Sequence, residues 1–179
     1  WVEPGDWVLD VGANIGRYTL KFSELVGKTG RVLSFEPIPD SFNLLAHYVA
    51  LQPVQNITLM NVALSDSQQI IGVDIPEHKT VMFDTHTQAN LTDNATKLHI
   101  LCIPFDDLCF TKKIKFVKID TEGHELKVLK GMKKLLKRDL PVLLVEEGVQ
   151  GVIPFLESCG YTSKKFDNSR NRIFFPVVS

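Results

Sequence analysis

Short apolar runs alternate with amphipathic stretches along most of this sequence. The runs have the length and composition of buried β-strands and cover 7–11, 31–35, 57–62, 114–119, 141–146, 160–166 and 171–176. Between them, apolar residues three or four positions apart predict helices over 16–26, 40–51, 124–137 and 149–158. Strands that alternate with helices are typical of a parallel sheet covered on both faces. The pattern therefore predicts an α/β fold.

The section 66–112 breaks this alternation. Two strand-like runs, QQIIGVDI and KLHILCIPF, flank the stretch 76–97, which is polar, rich in turn residues and without a period. We expect 76–97 to be an irregular insertion, either an excursion at the sheet edge or a lid near the site, because long irregular segments in compact domains are usually functional or disordered. A plain surface insertion is the equal alternative. A chain of 179 residues, 44% of them hydrophobic, is long enough for one buried core and short for two, so we predict a single domain over 1–179.

Charge and cysteine content limit the partners. Twenty basic residues against twenty-one acidic residues give a net charge of −1, so no global field attracts nucleic acid or an anionic membrane, and we expect neither as a partner. No apolar run reaches membrane-spanning length. The cysteines are odd in number and form no CxxC pair, which favours a reduced, cytoplasmic protein over a disulfide framework or a zinc site. The oligomeric state is not predicted.

The first predicted strand ends in the turn DVGANIG, residues 10–16. Two glycines four residues apart remove side chains where a ligand approaches the backbone. Ligands of open parallel sheets bind beyond the carboxyl ends of the strands, and Glu36, followed by Pro37, ends the second strand where an acid can bind both hydroxyls of a ribose. Asn14 replaces the second glycine of the dinucleotide pattern GxGxxG and crowds the position of a diphosphate. A nucleoside with an amino-acid tail fits this turn better than a dinucleotide does.

Five segments in order carry a wider similarity: VLDVGANIGRYTL, FEPIPDSFNLL, NVALSD, FVKIDTEGHELKVLKG and LLVEE. Together they resemble the FkbM family of S-adenosylmethionine-dependent methyltransferases, from about Val2 to about Tyr161. The resemblance implies a Rossmann-like class I fold with six parallel strands and a seventh, antiparallel strand. It also implies methyl transfer to a hydroxyl, often on sugars or secondary metabolites.

The same resemblance implies which residues hold S-adenosylmethionine. The methionine end would be lined by Asp10, Gly12, Ala13, Asn14 and Gly16. The ribose would be held by Glu36, next to Pro37, and the adenine would be flanked by Val62 and Ala63. Asp66 is a candidate near the adenine amino group, with an ordinary turn acid as the alternative.

The segment KIDTEGHE carries the candidate catalytic residues Asp120, Glu122 and His124, because an alcohol needs a base to lose its proton at neutral pH. Asp120 ends the strand 114–119 and is expected to orient the acceptor or assist proton removal. His124 is the natural general base, with an exposed residue in the first helical turn as the alternative. Glu125 is expected to stabilise the helix N-terminus. Glu146, which ends the next strand, could contact the acceptor or be a solvated strand end.

A divalent cation is the alternative to a metal-free site. Asp120, Glu122 and His124 offer ligands that suit magnesium or manganese, but the set is incomplete, so we expect no metal. The chain lacks the Asn-Pro-Pro-Tyr type of segment found in many methyltransferases that act on amino groups, which favours an oxygen acceptor. We therefore predict a methyltransferase that acts on a hydroxyl of a sugar or another small molecule. Two alternatives remain: a non-catalytic module that binds S-adenosylmethionine, and an NAD-dependent oxidoreductase.

Overall fold

A computed structural model describes residues 1–74, 90–92, 98–167 and 169–177, and its elements follow the predicted alternation. In chain order they are β1 (Trp7–Val11), α1 (Arg17–Val26), β2 (Arg31–Phe35), α2 (Pro39–Ala50), β3 (Ile57–Met60), β4 (Ala63–Leu64), β5 (Gln69–Asp74), β6 (Asn90–Thr92), β7 (Leu98–Ile103), a 3₁₀ helix (Phe105–Leu108), β8 (Phe116–Ile119), α3 (Glu125–Lys130), α4 (Lys133–Asp139), β9 (Val142–Glu146), α5 (Val152–Ser158), β10 (Tyr161–Lys165) and β11 (Asn171–Pro176).

Seven of the described strands form the main sheet, in the order β3-β2-β1-β8-β9-β11-β10. Every pairing is parallel except those of β11, which runs antiparallel to both β9 and β10. The central strands are buried on both faces, which explains why they read as continuous apolar runs. The predicted α/β class and the antiparallel last strand are confirmed.

The two runs that flank the irregular stretch are strands, as predicted, but they belong to a second sheet that the sequence pattern did not reveal. Its described strands lie in the order β4-β7-β5-β6. One face of this sheet is buried through a separate apolar cluster that includes Ile38, Val73 and Ile100. The predicted insertion at 76–97 lies outside the described residues, apart from the three residues of β6.

The single helix predicted over 124–137 is wrong, because the structure has two helices, α3 and α4. A Cβ atom at Gly131 would lie 1.8 Å from the carbonyl oxygen of Ser65, so the backbones touch at the point where α3 ends. The carboxylate of Asp106 then accepts hydrogen bonds from the backbone N–H groups of Lys134 and Leu135, at 2.8 and 3.1 Å. These bonds satisfy donors that the first turn of α4 would otherwise leave unpaired.

Other boundaries differ by a few residues. The strand predicted over 57–62 ends at Met60 and gives way to β4, and the helix predicted over 149–158 begins only after Gly151, whose φ of 91° is left-handed. Among the described residues no helix combines the length and apolar character needed to cross a membrane.

A buried amide joins the end of α1 to the loop before β3. Asn56 is 2% exposed, and its Nδ2 donates to the carbonyl oxygens of Ser23 and Gly27 at 3.0 and 2.8 Å. The hydroxyl of Ser23 donates to Asn56 Oδ1 at 2.6 Å. The last carbonyl groups of α1 therefore have a partner inside the protein rather than in solvent.

Gly131→Ala tests the contact that divides α3 from α4. The φ of Gly131 is −79°, which alanine adopts freely, so any loss reflects the collision with Ser65. We expect the free energy of unfolding in urea to fall by about 1–3 kcal/mol. Lys130→Ala, at an exposed neighbouring position, should change it by less than about 0.5 kcal/mol. Equal stability of the two variants would show that the backbones separate without cost.

Candidate active site

A pocket of about 280 Å³ opens at the carboxyl ends of β1, β2, β8 and β9. This is the edge where parallel sheets bind their ligands. Most of them line the pocket: Gly12, Ala13, Asn14, Glu36, Pro37, Val62, Ala63, Asp120, Glu122, His124 and Glu146.

The turn after β1 forms one wall. The N–H groups of Gly12 and Ala13 both donate to the carbonyl oxygen of Phe35 at 3.0 Å, which ties the turn to the end of β2. Gly12, Asn14 and Gly16 have positive φ angles of 75°, 49° and 98°. A Cβ at Gly12 would lie 1.9 Å from the carbonyl oxygen of Asp120, and one at Gly16 would lie 2.6 Å from Leu45 Cδ1. The glycines are thus required by the protein's own packing as well as by the turn.

Glu36 stands where the loops after β1 and β2 meet. Its Oε2 accepts a hydrogen bond from the N–H of Asn14 and its Oε1 accepts one from the N–H of Ile38, each at 2.8 Å. Burial raises the pKa of Glu36, and the two backbone donors oppose that rise. A carboxylate has about four lone-pair sites, so each oxygen can accept a further hydrogen bond from a ligand in the pocket.

Three of the predicted cofactor residues do not line the pocket. Asp10 is fully buried, and its Oδ2 accepts a hydrogen bond from the Thr19 hydroxyl at 2.6 Å. Gly16 closes the turn, because its N–H donates to the carbonyl oxygen of Ala13 at 2.9 Å. Asp66 accepts a 3.3 Å hydrogen bond from the hydroxyl of Ser65. A sequence pattern gives the position of a side chain along the strand but not the direction in which it points.

Three carboxylates form the opposite wall. Asp120, Glu122 and Glu146 each place an oxygen within 4.8 Å of the others. Burial, followed by the charge of Asp120 and a hydrogen bond to it, raises the pKa of Glu146 to about 8. Protonated Glu146 can donate a hydrogen bond to Asp120, and this bond favours the protonated form of Glu146. Glu146 is half-buried at the end of β9 and lines the pocket.

The candidate set for a divalent cation changes with this geometry. Glu146 takes the place that the sequence interpretation gave to His124, so the oxygens of Asp120, Glu122 and Glu146 are the ones that could hold a cation. Acidic groups commonly lie this close together without one.

His124 is buried at 8% exposure and lines the pocket from the side of the second sheet. Its Nε2 lies 2.9 Å from the hydroxyl of Ser65. Burial, together with the nearby charge of Lys127, lowers the pKa of His124, so the ring is neutral at pH 7. The alternative of an exposed residue in the first helical turn is wrong. The neighbouring Glu125 is buried and accepts hydrogen bonds from the N–H groups of Thr121 and Gly123, which fixes the turn ahead of α3.

Sequence reasoning missed Lys118, which lines the pocket from within β8. Its ammonium group donates to the carbonyl oxygen of Gly12 at 2.8 Å and lies 3.3 Å from Asp10 and 3.5 Å from Asp120. The signal was present, because a lysine inside an apolar strand that is buried on both faces requires carboxylates around it.

Residues 10–163 match the family model of the methyltransferase FkbM domain. The chain is also 31% identical over 138 residues to the hexuronic acid methyltransferase of Haloferax volcanii, an alignment that covers 75% of this chain and 53% of that protein. This chain therefore spans about half the length of that relative.

Solved structures share the fold. The FkbM methyltransferase of Methylobacillus flagellatus aligns with a TM-score of 0.66 at 19% identity, over 96% of this chain and 43% of that one. The fibrillarin of Aeropyrum pernix, solved with natively bound S-adenosyl-L-methionine, aligns with a TM-score of 0.61 at 14% identity, over 97% of this chain and 67% of that one.

Glu146→Gln tests the raised pKa of Glu146 through its effect on stability. The pKa of Glu146 rises from an ordinary 4.5 to about 8 on folding, so the folded state binds more protons between these values. The contribution of Glu146 to the free energy of unfolding then falls as the pH rises from 4.5 to about 8. We expect Glu146→Gln to flatten this decline in urea titrations across the range. The exposed Glu157→Gln serves as the control, and identical slopes in the two variants would contradict the assignment.

Proposed function

This chain belongs to the FkbM family of S-adenosylmethionine-dependent methyltransferases, and we propose that it transfers a methyl group from S-adenosylmethionine to a hydroxyl of a sugar or a similar small molecule. The observation that carries the proposal is a single pocket with two chemically different walls. One wall suits a nucleoside, and the other carries the neighbouring carboxyl groups of Asp120, Glu122 and Glu146.

The nucleoside wall fits S-adenosylmethionine. Glu36 offers both oxygens to the ribose hydroxyls, and Pro37, Val62 and Ala63 supply an apolar surface for the adenine. The turn Gly12–Asn14 faces the methionine end. S-adenosylmethionine, when bound, supplies an electrophilic methyl group on a sulfonium.

The carboxylate wall provides the base. Asp120 lines the pocket beside Lys118 and Glu146, and we assign its carboxylate as the base. An acceptor hydroxyl placed against Asp120 can pass its proton to that carboxylate while its oxygen becomes the nucleophile. His124 is bound to Ser65 on the other side of the pocket, and we assign it to the cofactor side rather than to proton removal.

A hydroxyl-rich acceptor is supported by the rim of the pocket. Ser41, Thr121, Arg170 and Asn171 line it and together offer hydroxyl, amide and guanidinium groups. The Haloferax volcanii relative is named for a hexuronic acid, a sugar whose carboxylate an arginine such as Arg170 can bind. Uronic acids and neutral hexoses are therefore the first acceptors to test.

Glu36→Gln tests the nucleoside wall. An amide cannot accept from two backbone N–H groups and two ribose hydroxyls at once, so calorimetry should show the Kd for S-adenosylmethionine rising by about 10- to 100-fold. Glu24→Gln, at an exposed position on α1, should leave the Kd unchanged. NAD should give no binding heat with the unaltered protein. Tight NAD binding that Glu36→Gln abolishes would favour the oxidoreductase alternative instead.

Asp120→Asn tests the carboxylate wall. Loss of the base should lower kcat by roughly 10²- to 10⁴-fold, because general base catalysis contributes that much. The measurement is transfer of radiolabelled methyl to a panel of uronic acids and hexoses. Calorimetry should give an S-adenosylmethionine Kd within about threefold of the original, a change too small to represent a lost direct contact. An unaltered kcat would remove Asp120 from the chemistry. Cofactor binding without transfer to any acceptor would favour a non-catalytic module.

A further inference from the structure

Lys118 is a buried cation that stands between the two walls of the pocket. It lies in the middle of β8 with 4% of its side chain exposed, and its register partner on β1 is Asp10. A single lysine in the centre of a sheet with both faces covered is costly unless its charge is paired. Its position therefore requires an explanation in terms of the groups that it contacts.

The three acceptors around the ammonium group belong to different parts of the site. Lys118 Nζ donates to the carbonyl oxygen of Gly12 in the cofactor turn at 2.8 Å. It lies 3.3 Å from Asp10 Oδ1 below the turn and 3.5 Å from Asp120 Oδ2 on the acceptor side. An ammonium carries three N–H donors, so one group can serve all three acceptors.

Buried hydrogen bonds hold Asp10, the first partner of Lys118, in place. Asp10 is fully buried, its second oxygen accepts from the Thr19 hydroxyl at 2.6 Å, and that hydroxyl lies 2.9 Å from the Ser34 hydroxyl. The ring of Tyr18 covers the ammonium group, with 5.1 Å from Nζ to the ring centre. Lys118 thus extends from a fixed support.

Asp120, the partner of Lys118 at the pocket, is held less firmly than Asp10 is. The sheet already fixes the backbone of Asp120, because its N–H donates to the carbonyl oxygen of Val11 at 3.1 Å. The Asp120 side chain is 30% exposed at the pocket, where it has a hydrogen bond with Glu146 on one side. Lys118 Nζ, 3.5 Å away, is the contact that links its carboxylate to the cofactor turn.

We infer that Lys118 is a positioning residue, whose one ammonium group holds the Asp120 carboxylate in a fixed place relative to the Gly12 carbonyl of the cofactor turn. The inference rests on the proposed function, in which Asp120 takes the proton of the acceptor. Alignment of the base with the methyl donor is what a reaction of this kind most needs from the protein.

Lys118 is not itself the base. Burial lowers its pKa, but the carboxylates of Asp10 and Asp120 outweigh burial and leave the pKa raised, so the group stays charged. Pairing with Asp10 alone would already compensate the charge, so the contacts with Gly12 and Asp120 are more than burial requires. The other described ionisable groups that surround this network are Tyr18, Glu36, Glu122, Glu125 and Glu146.

Lys118→Met is the central variant, and Asp10→Asn/Lys118→Met is its charge-neutral companion. The double variant removes the buried carboxylate that the single variant leaves uncompensated, while asparagine still accepts from Thr19, so it is expected to fold. Thermal unfolding is measured for each variant. Lys115→Met, one position before β8 and exposed, is the matched control and should behave as the unaltered protein.

In the folded variants we expect kcat for methyl transfer to fall roughly 100-fold, which is the cost of misplacing a reacting group by about 1 Å. The Kd for S-adenosylmethionine should rise only about three- to tenfold, through the lost bond to Gly12. The KM for the acceptor should stay within about threefold, since Lys118 is not expected to contact the acceptor. Adding Asp120→Asn to Lys118→Met should cause little further loss of kcat, because both changes disable the same base.

Two results would overturn the inference. One is a folded variant with kcat within twofold of the original, and the other is a multiplicative loss when Lys118→Met and Asp120→Asn are combined, since independent effects multiply. A measurement that needs no substrate tests the inference even if the proposed function fails. The side-chain carboxyl carbon of Asp120 should give one sharp nuclear magnetic resonance line in the ligand-free protein and a shifted or broadened line in Lys118→Met. An unchanged line would also overturn the inference.

Discussion

A buried ion pair between two neighbouring central strands underlies the geometry of the candidate active site. Asp10 on β1 and Lys118 on β8 are register partners, and both are removed from solvent. Either charge would be costly to bury without the other. Asp10 also accepts a hydrogen bond from Thr19, and Lys118 also contacts Gly12 and Asp120. The pairing of β1 with β8, the turn after β1 and the Asp120 carboxylate are therefore linked by direct contacts. A change in any part of it alters the shape of the pocket.

Much of the fold could be predicted because strands that are buried on both faces are apolar over most of their length. The central strands are mostly apolar, and the helices between them keep a regular apolar spacing. The second sheet and the division of the helix over 124–137 could not be predicted in this way. Both depend on contacts between segments far apart in the chain: β4 pairs with β7, and Gly131 lies against Ser65. Local periodicity contains no information about such contacts.

The candidate site shows the same limit at the level of side chains. The rule that ligands bind at the carboxyl ends of parallel strands led to Glu36, Asp120 and Glu146, all of which line the pocket. It could not tell that Asp10 turns inward to Thr19, or that His124 turns to Ser65, because those directions follow from packing. Lys118 was the residue that composition alone could have singled out, as the one charged side chain among FVKI.

The buried amide at the end of α1 has a consequence for how the protein can be produced. Asn56 begins the triplet Asn-Ile-Thr, which oligosaccharyltransferases modify on chains that pass through a secretory compartment. Its Nδ2 is the atom that would receive the glycan, and it is the same atom that donates to Ser23 and Gly27. A sugar attached there cannot fit at a side chain that is 2% exposed. Secretion from a eukaryotic host would thus yield chains whose modification competes with their folding.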